Sequence, residues 1–155
     1  MEVTEAIPAA YGAYMNGFDA TTGNFFDEPY TISHPSGDVK KIGIFGGQAV
    51  PEGYFQAGDT HWYVAAWDEG MTEGGSSGSP VFDDKYHIRG QLHGGFASCS
   101  YPYVDYYGRT FISWDQGAGA EQNLETHLDP TGTGTRVVDG EFLSTLKAKA
   151  TATLA

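Results

Sequence analysis

The residues best suited to do chemistry in this chain stand in one short run, Gly74-Gly75-Ser76-Ser77-Gly78-Ser79-Pro80. A hydroxyl that attacks a carbonyl carbon has to sit on a tight turn, clear of bulky neighbours, with backbone N–H groups aimed at the oxygen that becomes negative. Glycines flanking the serines allow that arrangement. Ser77 is therefore the candidate nucleophile, and the N–H groups of Gly75 and Ser77 are the candidate oxyanion hole. Taken alone, a Gly/Ser run is more often a flexible linker. The residues downstream argue for more: Pro80 stiffens the exit, Val81-Phe82 opens a buried strand, and Ile88–Gly95 (IRGQLHGG) reads as a strand ending on paired glycines just before Cys99.

Other chemistries fare worse. His87 and His93 flank a strand with Asp83 and Asp84 nearby, yet no HExxH or paired CxxC spacing is present, so they read as strand-end histidines beside an acidic loop. No metal and no cofactor is expected. The acidic residues are scattered and give no glycosidase pair.

The elements that must carry the turn follow from composition and pattern. A chain of 155 residues is one domain by prior and long enough to bury a core. With 22 glycines, 10 tyrosines and 9 phenylalanines it favours a β-rich fold with many turns. Strands are expected over Ala9–Phe18, Tyr30–Ser33, Val39–Phe45, Thr60–Trp67 and Tyr107–Trp114, the last with Phe111 and Trp114 in the core. His34-Pro35-Ser36-Gly37-Asp38 forms a turn, Asp19–Pro29 a polar connection, and Gly46–Asp59 a glycine-rich loop. Leu124 and Leu128 fall at i and i+4 in Glu121–Leu128, the spacing of a short helix that Asp129-Pro130 stops. Phe142–Ala155 has no clear apolar face and reads as tail or linker.

Charge narrows the partners. A net charge of −12 repels phosphates and argues against nucleic acid, while it suits basic peptides. No stretch reaches the apolar length of a membrane span, and Met1–Ala10 lacks the basic start and apolar core of a signal peptide. Cys99, the single cysteine, suggests a partner outside the chain.

The combination GSSGSPVF, GQLHGG and SC resembles the trypsin-like serine endopeptidases, and among them the lysyl endopeptidases. The segments SHPSGDVKKI and YYGRTFISW through LDPTGTGTRVVDG are similar to the same branch, so the resemblance runs from Ala9 to Gly140. It implies an all-β fold, the second six-stranded antiparallel barrel of a trypsin-like double barrel, ending in a short helix. Residues 1–8 are then an N-terminal stub, 9–140 the C-terminal half of the protease domain, and 141–155 a tail or linker. The activity implied is peptide-bond hydrolysis after lysine, in a secreted enzyme. The lysine preference implies a carboxylate in the primary pocket, and the matching residue is Asp105 in VDYYGR. A surface-turn aspartate is the plainer reading of the same residue. His93 matches a histidine that the family stacks on an aromatic ring, with Tyr54, Phe55 or neither as its partner here. Gly94 and Gly95 match the edge that pairs with an extended substrate, or else form only a β-turn. Where many trypsin relatives have an aspartate that pairs with a freed N-terminus, this chain has Ser76.

The family's catalytic histidine and aspartate have no counterpart: none of His34, His61, His87, His93 and His127 stands in the matching context, and His34 belongs to the HPSGD segment. The chain is thus expected to be a half-enzyme, inactive alone, whose partners are a lysine-bearing peptide or protein and a first barrel from outside the chain. An unpartnered barrel would expose an apolar face and tend to aggregate or dimerise. The alternative is a non-catalytic peptide- or carbohydrate-binding β-module, which suits an acidic, Gly- and aromatic-rich chain but gives no reason for the small-residue turn followed by GQLHGG.

Overall fold

A computed structural model describes residues 5–55 and 57–146. The strands are β1 (Tyr14–Met15), β2 (Gly17–Asp19), β3 (Phe26–Asp27), β4 (Tyr30–Ser33), β5 (Lys41–Ile44), β6 (Gln48–Glu52), β7 (His61–Ala66), β8 (Pro80–Phe82), β9 (His87–Gly95), β10 (Tyr103–Arg109), β11 (Val137–Val138) and β12 (Glu141–Phe142). Two short helices, α1 (Thr110–Asp115) and α2 (Leu124–Leu128), lie between β10 and β11. A ten-stranded sheet runs in the order β3-β6-β7-β10-β9-β8-β4-β5, with β2 added in parallel on β9 and β11 on β2. Apart from the β2–β9 contact its ladders are antiparallel.

The all-β architecture with a short C-terminal helix agrees with the expectation, but the barrel is not closed. Pro29 has no N–H to offer a ladder and Glu28 adopts a φ of 48°, so the chain breaks at a corner between β3 and β4. The Phe45–Gly47 bend makes the matching corner between β5 and β6. Glu28 N–H donates to Gly47 O and Phe45 N–H to Pro29 O, each at 3.0 Å, which ties the two corners together.

Inward-facing residues of these strands meet in one core of Phe26, Ala49, Trp62, Val64, Trp67, Val81, Leu92 and Tyr107. Trp62 is its hub: its indole N–H donates to Arg89 O, Phe26 meets its ring edge-on, and the Arg109 guanidinium lies 4.2 Å from its ring centroid. Burying an aromatic of this size outweighs most single polar contacts.

Several local expectations need correction. Tyr107–Trp114 is not one strand: β10 stops at Arg109, where β7 has ended at His61 and β2 takes over the edge of β9, and the chain turns into α1. Helical spacing buries Thr110 and Trp114 together, and leaves Phe111 only half-buried. The alternating pattern of YGRTFISW concealed this. Ala9–Phe18 divides into a 3-10 turn over Ala9–Tyr11, then β1 and β2. The polar connection and the glycine-rich loop hold β3 and β6, whose Phe26 and Ala49 reach the core. At the other end β12 pairs with β1, and Phe142 packs edge-on against Tyr14 at 5.2 Å. Half of the stub (1–4) and the last part of the tail (147–155) lie outside the described residues. Among those described, no helix is long and apolar enough to cross a membrane.

Candidate active site

The small-residue run forms a tight turn between Trp67, at the end of β7, and β8. Gly75 takes a φ of +96°, a conformation that a side chain would strain, and Gly78 takes +81°. The turn is closed by Ser76 N–H to Glu73 O and Ser79 N–H to Ser76 O, and it is fastened to β9 by Gly78 N–H to Leu92 O and Leu92 N–H to Ser79 O. Ser77 stands exposed at its apex. Among the described residues no group is bonded to its hydroxyl, and the N–H groups of Gly75 and Ser77 have no internal acceptor. Unpaired donors beside an exposed hydroxyl are the parts an oxyanion hole needs.

Ser76, only 2% exposed, holds the turn from beneath. Its hydroxyl donates to Ser33 Oγ on β4 at 3.1 Å and accepts the Glu73 N–H at 3.3 Å. The turn is therefore anchored by a neutral hydroxyl pair rather than by an ion pair. From the side, the HPSG segment docks on it: Ser36 N–H donates to Gly74 O, and Ser36 Oγ donates to Glu73 Oε2 at 2.7 Å. The other Glu73 oxygen accepts the Cys99 N–H at 2.9 Å, and these two bonds hold its carboxyl below the usual range.

Ser77 and Asp105 line one cleft of about 140 Å³, whose other walls include Thr72, Gly94 and Gly95. Asp105, on β10, is 1% exposed. Its Oδ2 accepts the Trp67 indole N–H at 2.7 Å and the Thr72 hydroxyl at 2.6 Å. Burial raises the Asp105 pKa, and the bonds from Thr72 and Trp67 oppose that only in part. Its Oδ1 lies against Gly95, where an added Cβ would come within 2.2 Å of it. A buried acid with one oxygen committed and the other facing a narrow cleft can accept a cationic donor there.

His93 sits at the cleft's shoulder, one residue before Gly94. Its Nδ1 is 2.9 Å from His61 Nε2, with ring centroids 5.1 Å apart, and His61 Nδ1 is 2.7 Å from Thr60 Oγ1. Tyr54 meets His93 edge-on at 5.1 Å and itself stacks on Tyr106 at 4.3 Å, while Phe55 is more distant at 6.2 Å. Of the two aromatic candidates Tyr54 is the nearer, and the buried His61 is a partner that its place before Trp62 did not announce. Burial and the neighbouring His93 lower the His61 pKa, which keeps it neutral.

The remaining histidines lie elsewhere. His34 lines a shallow depression beside Ser77, but its Nδ1 is bonded to Asp38 O. His127 contacts Glu121 O near α2. His87 bonds Asp139 through Nε2 and, with Asp19 and Asp83, forms a group of possible metal-ligating atoms within 4.8 Å of one another. That cluster already holds a cation, since the Arg89 guanidinium contacts Asp19 and stands 3.8 Å from Asp83.

Ser33, Ser36, Glu73 and Thr72 shape this site without having been singled out beforehand. Isolated hydroxyls and one acid carry no spacing signal. Their places depend on β4, the HPSG turn and the Gly74–Pro80 turn meeting in space.

Comparison with known proteins gives a consistent answer. The family model described as lysyl endopeptidase, C-terminal domain, matches residues 1–108, a stretch that holds Ser77, His93, Gly94, Gly95 and Asp105 and ends before α1. A lysyl endopeptidase of Pseudomonas aeruginosa is 34% identical over 106 residues, which are 66% of this chain and 22% of that protein. The chain thus spans well under two thirds of that relative's length. With the Gly74–Pro80 turn and the cleft that Ser77 and Asp105 line both inside the matched stretch, the chain belongs to the lysyl endopeptidase family.

Proposed function

We propose that this chain is the C-terminal half of the catalytic domain of a secreted serine endopeptidase that cleaves after lysine. In this reading Ser77 is the nucleophile, the Gly75 and Ser77 N–H groups stabilise the tetrahedral oxyanion, and Asp105 receives the lysine ammonium. Gly94 and Gly95 pair with the substrate backbone, and His93 supports that edge. The observation that carries the reading is the shared cleft of Ser77 and Asp105, about 140 Å³ in volume, narrow enough for one extended side chain. A first barrel supplies the base and its orienting acid. An apolar groove lined by Phe18, Pro80, Ile88, Leu124 and Leu128 borders Gly78, and it supports a packing partner next to the nucleophile.

Without an imidazole on its hydroxyl, Ser77 is a weak nucleophile, and loss of the base lowers turnover on the order of 10⁴- to 10⁶-fold. Residues 1–155 alone are expected to hydrolyse lysyl peptide amides negligibly. Robust hydrolysis that Ser77→Ala abolishes would overturn the half-enzyme reading. Failure of a lysine amide to perturb the Gly94, Gly95 and Ser77 amide resonances would overturn the pocket assignment.

A further inference from the structure

Glu28, Tyr30, Ile42, Ile44, Asp84 and Tyr86 line a second depression of about 440 Å³, on the outer face of the β4–β5 hairpin. Antiparallel register pairs Tyr30 with Ile44 and Ile32 with Ile42, so alternate outward side chains make an apolar floor. That floor is unpartnered: Ile42 is 48% and Tyr86 70% exposed. Tyr30 stacks on Phe82 beneath it at 4.9 Å and meets Tyr86 edge-on at 6.2 Å, so two phenol rings stand at one end of the cup.

The charged residues that line the cup, Glu28 and Asp84, are both acidic, and exposed Lys85 stands between Asp84 and Tyr86 without being one of its walls. Glu28 and Asp84 are exposed, and among the described residues neither carboxylate has a hydrogen-bond or ion-pair partner. Asp68 stands next to the same rim, accepting the N–H of Gly46, which also lines the cup. Lys41, on the same hairpin, is engaged with Asp38 at 3.2 Å. Apolar floor, aromatic end and anionic rim together match one kind of side chain, a long aliphatic stem that ends in a positive charge. We infer that this cup docks a lysine or arginine side chain of a basic polypeptide, as a second recognition point on the outer face of the β4–β5 hairpin. The chain's net charge of −12 steers such a partner toward it. Docking here is independent of the peptidase reading, because none of the cup's walls belongs to the Ser77–Asp105 cleft.

The test is an amide-resonance titration of the 155-residue chain with acetyl-Leu-Lys-Leu-amide and its glutamine counterpart. The lysine peptide should shift Ile42, Gly46 and Tyr86 saturably, and added salt should weaken it. The double variant Glu28→Gln/Asp84→Asn should weaken that binding roughly 3- to 10-fold, while Asp105→Asn leaves it unchanged. Tyr86→Ser, which keeps the rim charges, should weaken it as well, and intact indole resonances of the three tryptophans verify the fold of each variant. Equal binding of the glutamine peptide, indifference to the rim substitutions, or shifts confined to Gly94, Gly95 and Ser77 would each overturn the inference. Shifts at Tyr86 that grow with protein concentration alone would assign the cup to a second copy instead, and would overturn it too.

Discussion

Replacing Asp105 by asparagine should move ligand binding and stability in opposite directions. Oδ2 of Asp105 receives donors from Trp67 and Thr72, so an asparagine must place its carbonyl oxygen there. Its NH2 then occupies the Oδ1 position and presents hydrogens to the cleft. A lysine ammonium would lose a charge-assisted hydrogen bond worth about 1.5–3 kcal/mol, which is roughly a 10- to 150-fold loss of affinity at about 1.4 kcal/mol per decade. Stability should rise instead. Burial raises the Asp105 pKa above 3.8, so the folded state binds the proton more tightly than the unfolded one, and wild-type stability falls as pH climbs from 3.8 through the raised value. The neutral amide carries no such penalty, and Asp105→Asn should melt higher than wild type at pH 7 while matching it more closely near pH 3. The same linkage makes wild-type affinity for an amine increase with pH across that window. The assay pairs amide-resonance titration with Nα-acetyl-lysine methylamide, against its norleucine analogue, with thermal melts from pH 3 to 8. Unchanged lysine affinity, or a substituted chain less stable than wild type at pH 7, would refute the placement of a buried, cleft-facing carboxylate.

Four further outcomes follow from the same geometry. Gly95→Ala puts a Cβ 2.2 Å from Asp105 Oδ1 and 2.3 Å from Val104 O, and should cost about 1–3 kcal/mol in denaturant unfolding together with the lysine-amide response. Gly94→Ala meets only the Tyr54 side chain, its hydroxyl nearest at 3.1 Å, and should stay within about 0.5 kcal/mol of wild type. His61 has its pKa lowered from 6.5, so stability is fully present above 6.5 and is lost as pH falls toward its folded value; His61→Gln should flatten that part of the melting profile. The Cys99 amide resonance should titrate with Glu73, at a midpoint below 4.5, and Glu73→Gln should abolish that titration.

Much of this molecule was legible in its sequence because the signals were local. Tyr30–Ser33 and the strands around His61 and Ile88 follow from β-branched and aromatic runs bounded by turn residues, and each was found within a residue or two. The tight turn over Gly74–Pro80 was legible because glycine, serine and proline at that density favour a turn beside a strand. What failed was decided at a distance. Thr110–Asp115 alternates like a strand, yet β7 has already ended and β2 occupies the edge of β9, so packing of Trp114 makes a helix instead. β3, two residues long, is too short to show a period, and β6 (Gln48–Glu52) sits in a glycine-rich stretch with a proline inside it; pairing with each other and of β6 with β7 makes them strands. The His61–His93 contact joins residues 32 apart across two strands, a register effect that no spacing rule shows.

The hydroxyl pair between Ser76 and Ser33 also bears on what could loosen the Gly74–Pro80 turn. A latch without charge has nothing for a proton to neutralise and little for salt to screen, so its hold is indifferent to the swings that loosen an ion pair. It forms when β4 comes alongside β8, in the same cooperative step that builds the core. The bend that carries Ser77 thereby comes ready-made with the domain.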